Sequence, residues 1–313
     1  MSAATAIFCE LGSTGVIAAR GADAVAFLHS QLTSDVANLH ARRTQYSGYC
    51  SPKGRLLATF FVWRGDDEIL LQLPETLCSS IQLRLAKYVL RARVTLAHES
   101  GEYRVFGIAG TGAERAMEPF AGGTLPGIHE FVSSRGHRVA RVSDSRFVLL
   151  APAAEAASAR AMLGRHARSQ PESAWSRLEI EAGIPTITAA TQDEYVPQMV
   201  NLDLIGAVSY VKGCYPGQEI VARTHYLGRL KQRMYRIYAP TTTEPAACDP
   251  LYSAAFGAGQ ASGAILVAAP AEGSGYDALA VIQTTALASG AVTLSSPEGP
   301  AIEVKGLPYS VPT

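Results

Sequence analysis

The chain has 313 residues, more than one ordinary hydrophobic core accommodates, so we expect two or three packed domains. Its 27 basic and 27 acidic side chains cancel, which excludes a globally basic surface for RNA, DNA or an anionic membrane. Hydrophobic residues make up 48% and charged residues 17%, which is typical of a soluble globular protein and excludes a disordered one.

The amino-terminal segment and the cysteines both indicate a cytoplasmic protein. The first residues lack a basic region followed by a long apolar run, so we expect no secretory signal. No stretch approaches the roughly 20 apolar residues that span a bilayer, so we expect no membrane partner. The five cysteines contain no C-x-x-C, which disfavours both a disulfide framework and a cysteine-built zinc site; they are Cys9, Cys50, Cys78, Cys214 and Cys248.

The first predicted elements form an α+β unit. Residues 21–36 have Val25, Leu28 and Leu32 at helical spacing and predict a helix. Residues 55–73 contain two apolar runs on either side of residues 65–67 (G-D-D), which predicts a β-hairpin. Pro74 ends the second strand, and residues 75–90 predict a helix.

A similar order recurs further along the chain. Residues 137–150 predict a second hairpin, Pro152 follows it, and the alanine-rich residues 153–166 predict a helix. Pro74 and Pro152 thus occupy equivalent points of two hairpin–helix units, which indicates an internal duplication. The alternative is that this order is common and that the repetition is accidental.

The chain changes character at about Leu230. Helical periodicity ends, and short β-type runs rich in Gly, Ala, Thr and Ser follow, with residues 240–250 as an exposed loop. This pattern predicts a small antiparallel barrel or sandwich. We therefore predict a region 1–230 made of two α+β subdomains and a β-barrel domain at 231–313.

The densest signal for chemistry lies between Gln198 and Arg233. Pro216 and Gly217 suit the central positions of a type II turn, and Gln218 starts a predicted helix with Glu219 near its positive end. A thiol beside this turn, Cys214, with Lys212 and Arg223 nearby, would be nucleophilic or metal-binding. The alternative is that Cys214 is a small buried hydrophobic residue.

The segment K-G-C-Y-P-G-Q-E at 212–219 resembles the K-G-C-[FY]-x-G-Q-E signature of the YgfZ family, folate-binding relatives of the glycine-cleavage T-protein. The match covers most of residues 15–235. Further matching segments are A-G-I-P at 182–185, V-P-Q at 196–198, N-L at 201–202, V-A-R-T at 221–224, G-A-D at 21–23, L-T-S-D at 32–35 and P-K-G at 52–54.

The resemblance implies a cloverleaf of two α+β subdomains and a β-barrel around a central channel that binds tetrahydrofolate or a related reduced folate. Trp175 falls where the family places a tryptophan against folate, and an indole suits a flat pterin. Glu181 aligns with a glutamate that accepts hydrogen bonds from the pterin. Lys53 lies in the loop expected to border the channel. The alternatives are core packing for Trp175 and an ordinary exposed helix position for Glu181.

Two departures from the family pattern bear on function. T-proteins carry paired aspartates after the motif that corresponds to residues 51–54, whereas this chain has Leu56-Leu57-Ala58. Aminomethyl transfer is therefore not expected, because no carboxylate there can handle the folate amine. Some family members also have a tryptophan near Ser13-Thr14-Gly15, which would contact folate, and this chain lacks it.

The resemblance implies an accessory factor for iron–sulfur cluster assembly or repair that serves enzymes including those that modify tRNA. Expected partners are folate and iron–sulfur proteins or assembly factors, without direct binding of nucleic acid. Cys214 could hold a transient iron–sulfur cluster or accept a one-carbon or sulfur species. The alternatives are a folate-dependent one-carbon transferase and a non-catalytic folate-sensing module, in which Cys214 would be dispensable.

Overall fold

A computed structural model describes residues 6–228, 230–257 and 259–312 of the chain. The chain divides into two compact units. Unit 1 comprises the residues up to 29, residues 35–46 and residues 60–175, and unit 2 comprises residues 30–34, 47–59 and those from 176 onward. The predicted boundary at 230/231 lies inside unit 2.

The strands and helices, in chain order, are β1 (Ile7–Glu10), β2 (Thr14–Arg20), α1 (Ala24–Gln31), β3 (Arg43–Cys50), β4 (Leu56–Arg64), β5 (Glu68–Pro74), α2 (Glu75–Ala86), β6 (Thr95–His98), β7 (Tyr103–Ala109), α3 (Ala113–Ala121), β8 (Phe131–Ser134), β9 (His137–Ser143), β10 (Arg146–Pro152), α4 (Ala156–Leu163), β11 (Arg168–Ser169), α5 (Glu172–Glu181), α6 (Gln218–Tyr226), β12 (Gln232–Ala239), β13 (Pro250–Ser253), β14 (Ala261–Pro270), β15 (Tyr276–Gln283), α7 (Thr284–Ala288), β16 (Val292–Leu294) and β17 (Glu303–Lys305). Short 3₁₀ turns span Ala153–Glu155 and Pro197–Val200. No helix among the described residues is long and apolar enough to cross a membrane.

The strands form three sheets, which confirms the predicted α+β class. Two of the sheets have the orders β3-β4-β5-β2-β6 and β8-β9-β10-β7-β1-β11, and both predicted hairpins form, as β4–β5 and β9–β10. The third sheet has the order β16-β13-β14-β15-β12-β17 and forms the predicted carboxyl-terminal β-module as a half-barrel. Its longest pairing joins β12 to β15 in antiparallel register along both strands.

The first two sheets repeat one element order. The series β2-α1-β3-β4-β5-α2-β6 has the same sequence of strands and helices as β7-α3-β8-β9-β10-α4-β11. Pro74 and Pro152 each precede the helical segment after the hairpin, with φ/ψ of −56°/131° and −52°/137°. A proline fixes φ and ends the strand ladder, so the same residue type marks the same point twice. The element order therefore repeats, and the internal duplication stays a prediction.

The helix predicted over 21–36 is shorter in the structure, since α1 ends at Gln31. Thr33, two residues after the end of α1, forms its hydrogen bonds with other segments of unit 2. The backbone amide of Thr33 donates to the carbonyl of Gly48 at 2.9 Å, and its hydroxyl donates to the carbonyl of Ala207 at 2.7 Å. A helix cannot continue through backbone groups that are bonded to another segment. The helix predicted over 75–90 likewise ends at Ala86.

Candidate functional site

The predicted type II turn is present at Pro216-Gly217. Gly217 has φ 78° and ψ 4°, and the amide of Gln218 donates to the carbonyl of Tyr215 at 3.1 Å. The third position of a type II turn requires positive φ, which glycine adopts without steric cost. Helix α6 then begins at Gln218, as predicted, with Glu219 in its first turn.

A backbone contact between Gly54 and Gly217 holds this turn in unit 2. A Cβ atom on Gly217 would lie 2.5 Å from the Cα and N atoms of Gly54 and from the carbonyl oxygen of Ser51. A Cβ atom on Gly54, whose φ is 70°, would lie 2.8 Å from the Cβ of Ile220. Neither position has room for a side chain, so the P-K-G loop and the turn of the signature pack main chain against main chain. We call this contact the glycine junction.

Lys212 anchors the other side of the turn. Its ammonium donates to the carbonyl of Leu32 at 2.5 Å and lies 4.8 Å from the centre of the Tyr215 ring. Lys212 and Tyr215 are 9% and 6% exposed. A buried ammonium needs such partners, because burial penalises an unpaired charge. Lys212 thus joins two segments of the family pattern, and its observed contacts are structural.

Cys214 and the preceding Gly213 are exposed, whereas Lys212 and Tyr215, which flank this pair, are buried. The thiol therefore lies on the surface, which contradicts the alternative of a buried hydrophobic residue. Glu219 and Arg223 are also exposed, and their spacing places them on one face of α6. The structure therefore provides a reachable thiol next to a helix that carries one acidic and one basic side chain.

Helix α6 is held by Gln198, a residue of the family pattern. The Gln198 amide donates to the carbonyl of Val221 at 2.7 Å and to the hydroxyl of Tyr210 at 3.2 Å. Tyr210 stacks on His225 with ring centres 3.8 Å apart. Val211 and Leu227 are 93% and 84% exposed, so apolar side chains face solvent near both ends of the segment that contains Cys214.

A buried ion pair fixes the position of Gln198. The guanidinium of Arg233 donates to both carboxylate oxygens of Asp203, at 2.7 and 3.0 Å, and to the carbonyl of Gln198 at 2.8 Å. The amide of Asn201 donates to the carbonyl of Met234 at 2.8 Å. A bidentate pair with a further hydrogen bond to a carbonyl is a geometry that makes a buried charge tolerable. Arg233 and Met234 of strand β12 thus hold residues 198–201 in place, and Gln198 of that segment in turn bonds to α6.

Trp175 is buried in unit 1, with 7% of its surface exposed. A Cβ atom on Gly107 would lie 2.3 Å from the indole, so the ring lies directly on β7. The guanidinium carbon of Arg146 is 4.6 Å from the ring centre, a cation–π distance. This burial agrees with the packing alternative, and contact between Trp175 and folate stays a prediction.

Glu181 belongs to unit 2, where its carboxylate is paired with arginines. Its Oε1 accepts a hydrogen bond from Arg177 at 2.7 Å and lies 3.5 Å from Arg236, which is equally close to Asp277. The Glu181 side chain is 31% exposed, and within the described ranges its Oε2 accepts no hydrogen bond. Glu181 thus keeps one carboxylate oxygen that can accept a hydrogen bond, whereas Trp175 is largely covered.

A carboxylate that sequence reasoning missed reaches the P-K-G loop, where Lys53 is exposed. The hydroxyl of Ser51 donates to Oδ1 of Asp193 at 2.7 Å, and the amide of Asp193 donates to the carbonyl of Leu56 at 2.8 Å. Asp193 is distant in sequence from this loop, and only its positive φ of 61° marks it as unusual. Asp193, which comes from another segment of the chain, therefore places a carboxylate beside the P-K-G loop.

The comparisons with known proteins agree with these local features. No family model matches the sequence. The tRNA-modifying protein YgfZ of Vibrio vulnificus is 32% identical over 241 residues, covering 74% of this chain and 72% of that protein. The tRNA-modifying protein YgfZ of Sodalis glossinidius is 28% identical over 312 residues, covering 96% of this chain and 92% of that protein. The glycine cleavage system aminomethyltransferase T of Bartonella henselae matches 98% of this chain and 87% of its own, with a TM-score of 0.75 and 16% identity. The predicted T-protein fold is confirmed.

We predict that Gly217→Ala destabilises the protein more than Gly206→Ala. Both glycines have positive φ, 78° and 73°, so both variants carry a similar backbone cost. A Cβ atom on Gly206 meets nothing within 4 Å, whereas one on Gly217 overlaps Gly54 and Ser51. The extra overpacking should lower the free energy of unfolding by about 1–3 kcal/mol, measured by urea denaturation. Equal losses in the two variants would show that the glycine junction is not tight.

We predict that iodoacetamide alkylates Cys214 before the other four cysteines. Cys9, Cys50 and Cys78 are buried, and burial raises their thiol pKa values. Cys248 is exposed, but partial burial, Glu194 and Asp249 raise its pKa. A raised pKa leaves less thiolate at a given pH, so Cys248 should need a higher pH to react. Peptide mass spectrometry across pH measures each rate, with the denatured protein as the control. Faster reaction of Cys248 near neutral pH would contradict the prediction.

Proposed function

Because the chain belongs to the YgfZ family of tRNA-modifying proteins, we propose that it is a folate-binding accessory factor for iron–sulfur cluster assembly or repair. Its clients are iron–sulfur enzymes, including those that modify tRNA, and Cys214 is its functional thiol. The exposure of Cys214 between two buried anchors carries this proposal. A structural cysteine would not need to be held on the surface by the glycine junction.

The chemistry of a thiolate suits this role. A thiolate is both a nucleophile and a metal ligand, so Cys214 can bind a transient cluster or accept a sulfur or one-carbon species. One cysteine cannot hold a whole cluster, so the other ligands come from a partner protein or from small molecules. The exposed Val211 and Leu227 offer apolar contact area to such a partner near the thiol.

Two residues of unit 2, Glu181 and Lys53, are assigned to a reduced folate, which supplies one-carbon chemistry when it is bound. Glu181 accepts hydrogen bonds from the pterin amino groups through Oε2. Trp175 belongs to unit 1 and is buried, so its contact with folate stays a prediction of the family resemblance. Lys53, which is exposed on the P-K-G loop, offers an ammonium to the carboxylates of the folate tail. The support for this assignment is the family resemblance together with the acceptor atom that Glu181 retains.

A second candidate, a folate-dependent one-carbon transferase, is favoured by one observation. Asp193 brings a carboxylate to Ser51, beside the P-K-G loop and shortly before the part of β4 where Leu57 and Ala58 replace the acidic positions of T-proteins. Its Oδ1 already accepts a hydrogen bond from Ser51, so this oxygen is less available to a folate amine. A glycine-cleavage assay with lipoyl-bound intermediate and tetrahydrofolate separates the two candidates. The accessory role implies no turnover, whereas turnover that Asp193→Asn abolishes would favour the transferase.

We predict that Cys214→Ser fails to replace the native protein in cells that lack it. The readout is the amount of methylthiolated tRNA, which depends on an iron–sulfur methylthiotransferase. Cys248→Ser is the matched control, because it removes the other exposed thiol and should restore the modification. Equal protein abundance is checked by immunoblot. Full restoration by Cys214→Ser would sink the thiol mechanism and favour a folate-sensing module.

We predict that Glu181→Gln weakens tetrahydrofolate binding by roughly tenfold or more. A hydrogen bond to a charged group contributes about 1.5–3 kcal/mol, and about 1.4 kcal/mol corresponds to a factor of ten. Isothermal titration calorimetry with tetrahydrofolate measures the dissociation constant, with the exposed Glu298→Gln as the control. Thermal unfolding without ligand separates this effect from the loss of the pairs with Arg177 and Arg236. Unchanged affinity in Glu181→Gln would remove this residue from the folate site.

A further inference from the structure

A second group of reactive side chains lies in unit 1, in a different unit from Cys214. Glu75, Cys78 and His98 each offer a ligand atom, and these atoms all lie within 4.8 Å of one another. Glu75 and Cys78 are three residues apart in the first turn of α2, so they share one helix face. His98 is the last residue of β6, opposite Ile17 of β2. The fold, rather than the sequence spacing, brings the three together.

The imidazole of His98 is oriented by hydroxyl groups. Its Nε2 lies 2.9 Å from Oε1 of Glu75 and 2.7 Å from the hydroxyl of Ser100. Its other ring nitrogen, Nδ1, lies 3.3 Å from the hydroxyl of Ser79. A metal-binding histidine characteristically has its outer nitrogen held in this way, because that contact fixes the ring and the tautomer.

The donors converge over Gly15 of β2, where the chain carries no side chain. A Cβ atom there would lie 2.0 Å from Oε2 of Glu75, 2.4 Å from the Cys78 sulfur and 2.7 Å from the Ser100 hydroxyl. Any other residue would occupy the point on which the donor atoms are directed. Gly15 therefore gives the three groups a common open position.

One oxygen of this group is buried without a hydrogen bond. Oε2 of Glu75 is inaccessible to solvent and has no partner among the residues that the structure describes. A buried carboxylate oxygen without a partner is costly, because it has lost its hydration without gaining a hydrogen bond. A cation at the open position would satisfy this oxygen.

We propose that Glu75, Cys78 and His98 bind a divalent zinc ion. Sulfur, imidazole nitrogen and carboxylate oxygen are the ligand types of zinc, whereas magnesium and calcium prefer oxygen alone. Two donors on one tetrahedral zinc ion lie roughly 3.4 Å apart, so a small side-chain rotation from the observed separations completes the geometry. The thiol of Cys78 loses its proton to solvent on binding, and water fills the fourth position. The ion then joins the start of α2 to the end of β6.

The test uses the full-length protein, freed of metal with a chelator and titrated with Co²⁺ as a spectroscopic probe for zinc. Wild-type protein should show the thiolate-to-cobalt charge-transfer absorption of a tetrahedral site at one ion per chain, and Zn²⁺ should abolish it. Cys78→Ser should lose this absorption. Because Cys78 is buried and its variant can misfold, the exposed His98→Gln is the second variant.

His98→Gln should weaken Zn²⁺ binding at least about tenfold in competition with a chelator, with unchanged thermal unfolding of the metal-free protein. Cys214→Ser is the matched control and should keep the wild-type spectrum and affinity. Three results would overturn the proposal: no thiolate absorption in the wild type, its retention in Cys78→Ser, or its loss in Cys214→Ser alone. None of these results depends on the proposed role of Cys214 in iron–sulfur maintenance.

Discussion

The backbone contact between Gly54 and Gly217 determines where the candidate thiol lies. It brings two segments that are remote in sequence to within main-chain distance, and both glycines have positive φ. A side chain at either position would force the turn and the loop apart. The turn that this contact holds lies between Cys214 and the start of α6, so the contact bears on the position of both. The presence of both glycines in the family pattern thus has a steric reason.

Buried charges in unit 2 serve position rather than chemistry. Lys212 bonds the carbonyl of Leu32, and Arg233 bonds Asp203 and the carbonyl of Gln198. Each charge has partners that offset its desolvation. Lys212 joins two segments of the family pattern, and Arg233 joins β12 to the segment that contains Gln198. A residue of the signature that looks reactive in the sequence, such as Lys212, therefore serves to hold the segment in place. What remains free to react is the exposed thiol that this framework presents.

Residue types and short-range spacing predicted turns, hairpins and helix starts well. They did not predict contacts between residues that are distant in the sequence. The turn at Gly217, both hairpins and the helix starts at Glu75 and Gln218 follow from residue types and spacing. The spacing of the cysteines gave no sign of a metal site, because His98 reaches Cys78 only through the pairing of β6 with β2. The approach of Asp193 to Ser51 and the burial of Trp175 depend on packing in the same way. Domain boundaries were also difficult, since unit 2 takes residues 30–34 and 47–59 from the amino-terminal region.

The most direct test of this account leaves Cys214 unchanged and alters only the glycine junction. Gly217→Ala and Gly206→Ala are each expressed in cells that lack the native protein, at a temperature where both accumulate equally. Methylthiolated tRNA is then measured. If the junction positions the functional thiol, Gly217→Ala should restore markedly less modification than Gly206→Ala, because only its Cβ atom displaces the turn. Equal restoration by the two variants would contradict the claim that the placement of Cys214 by this contact matters for function.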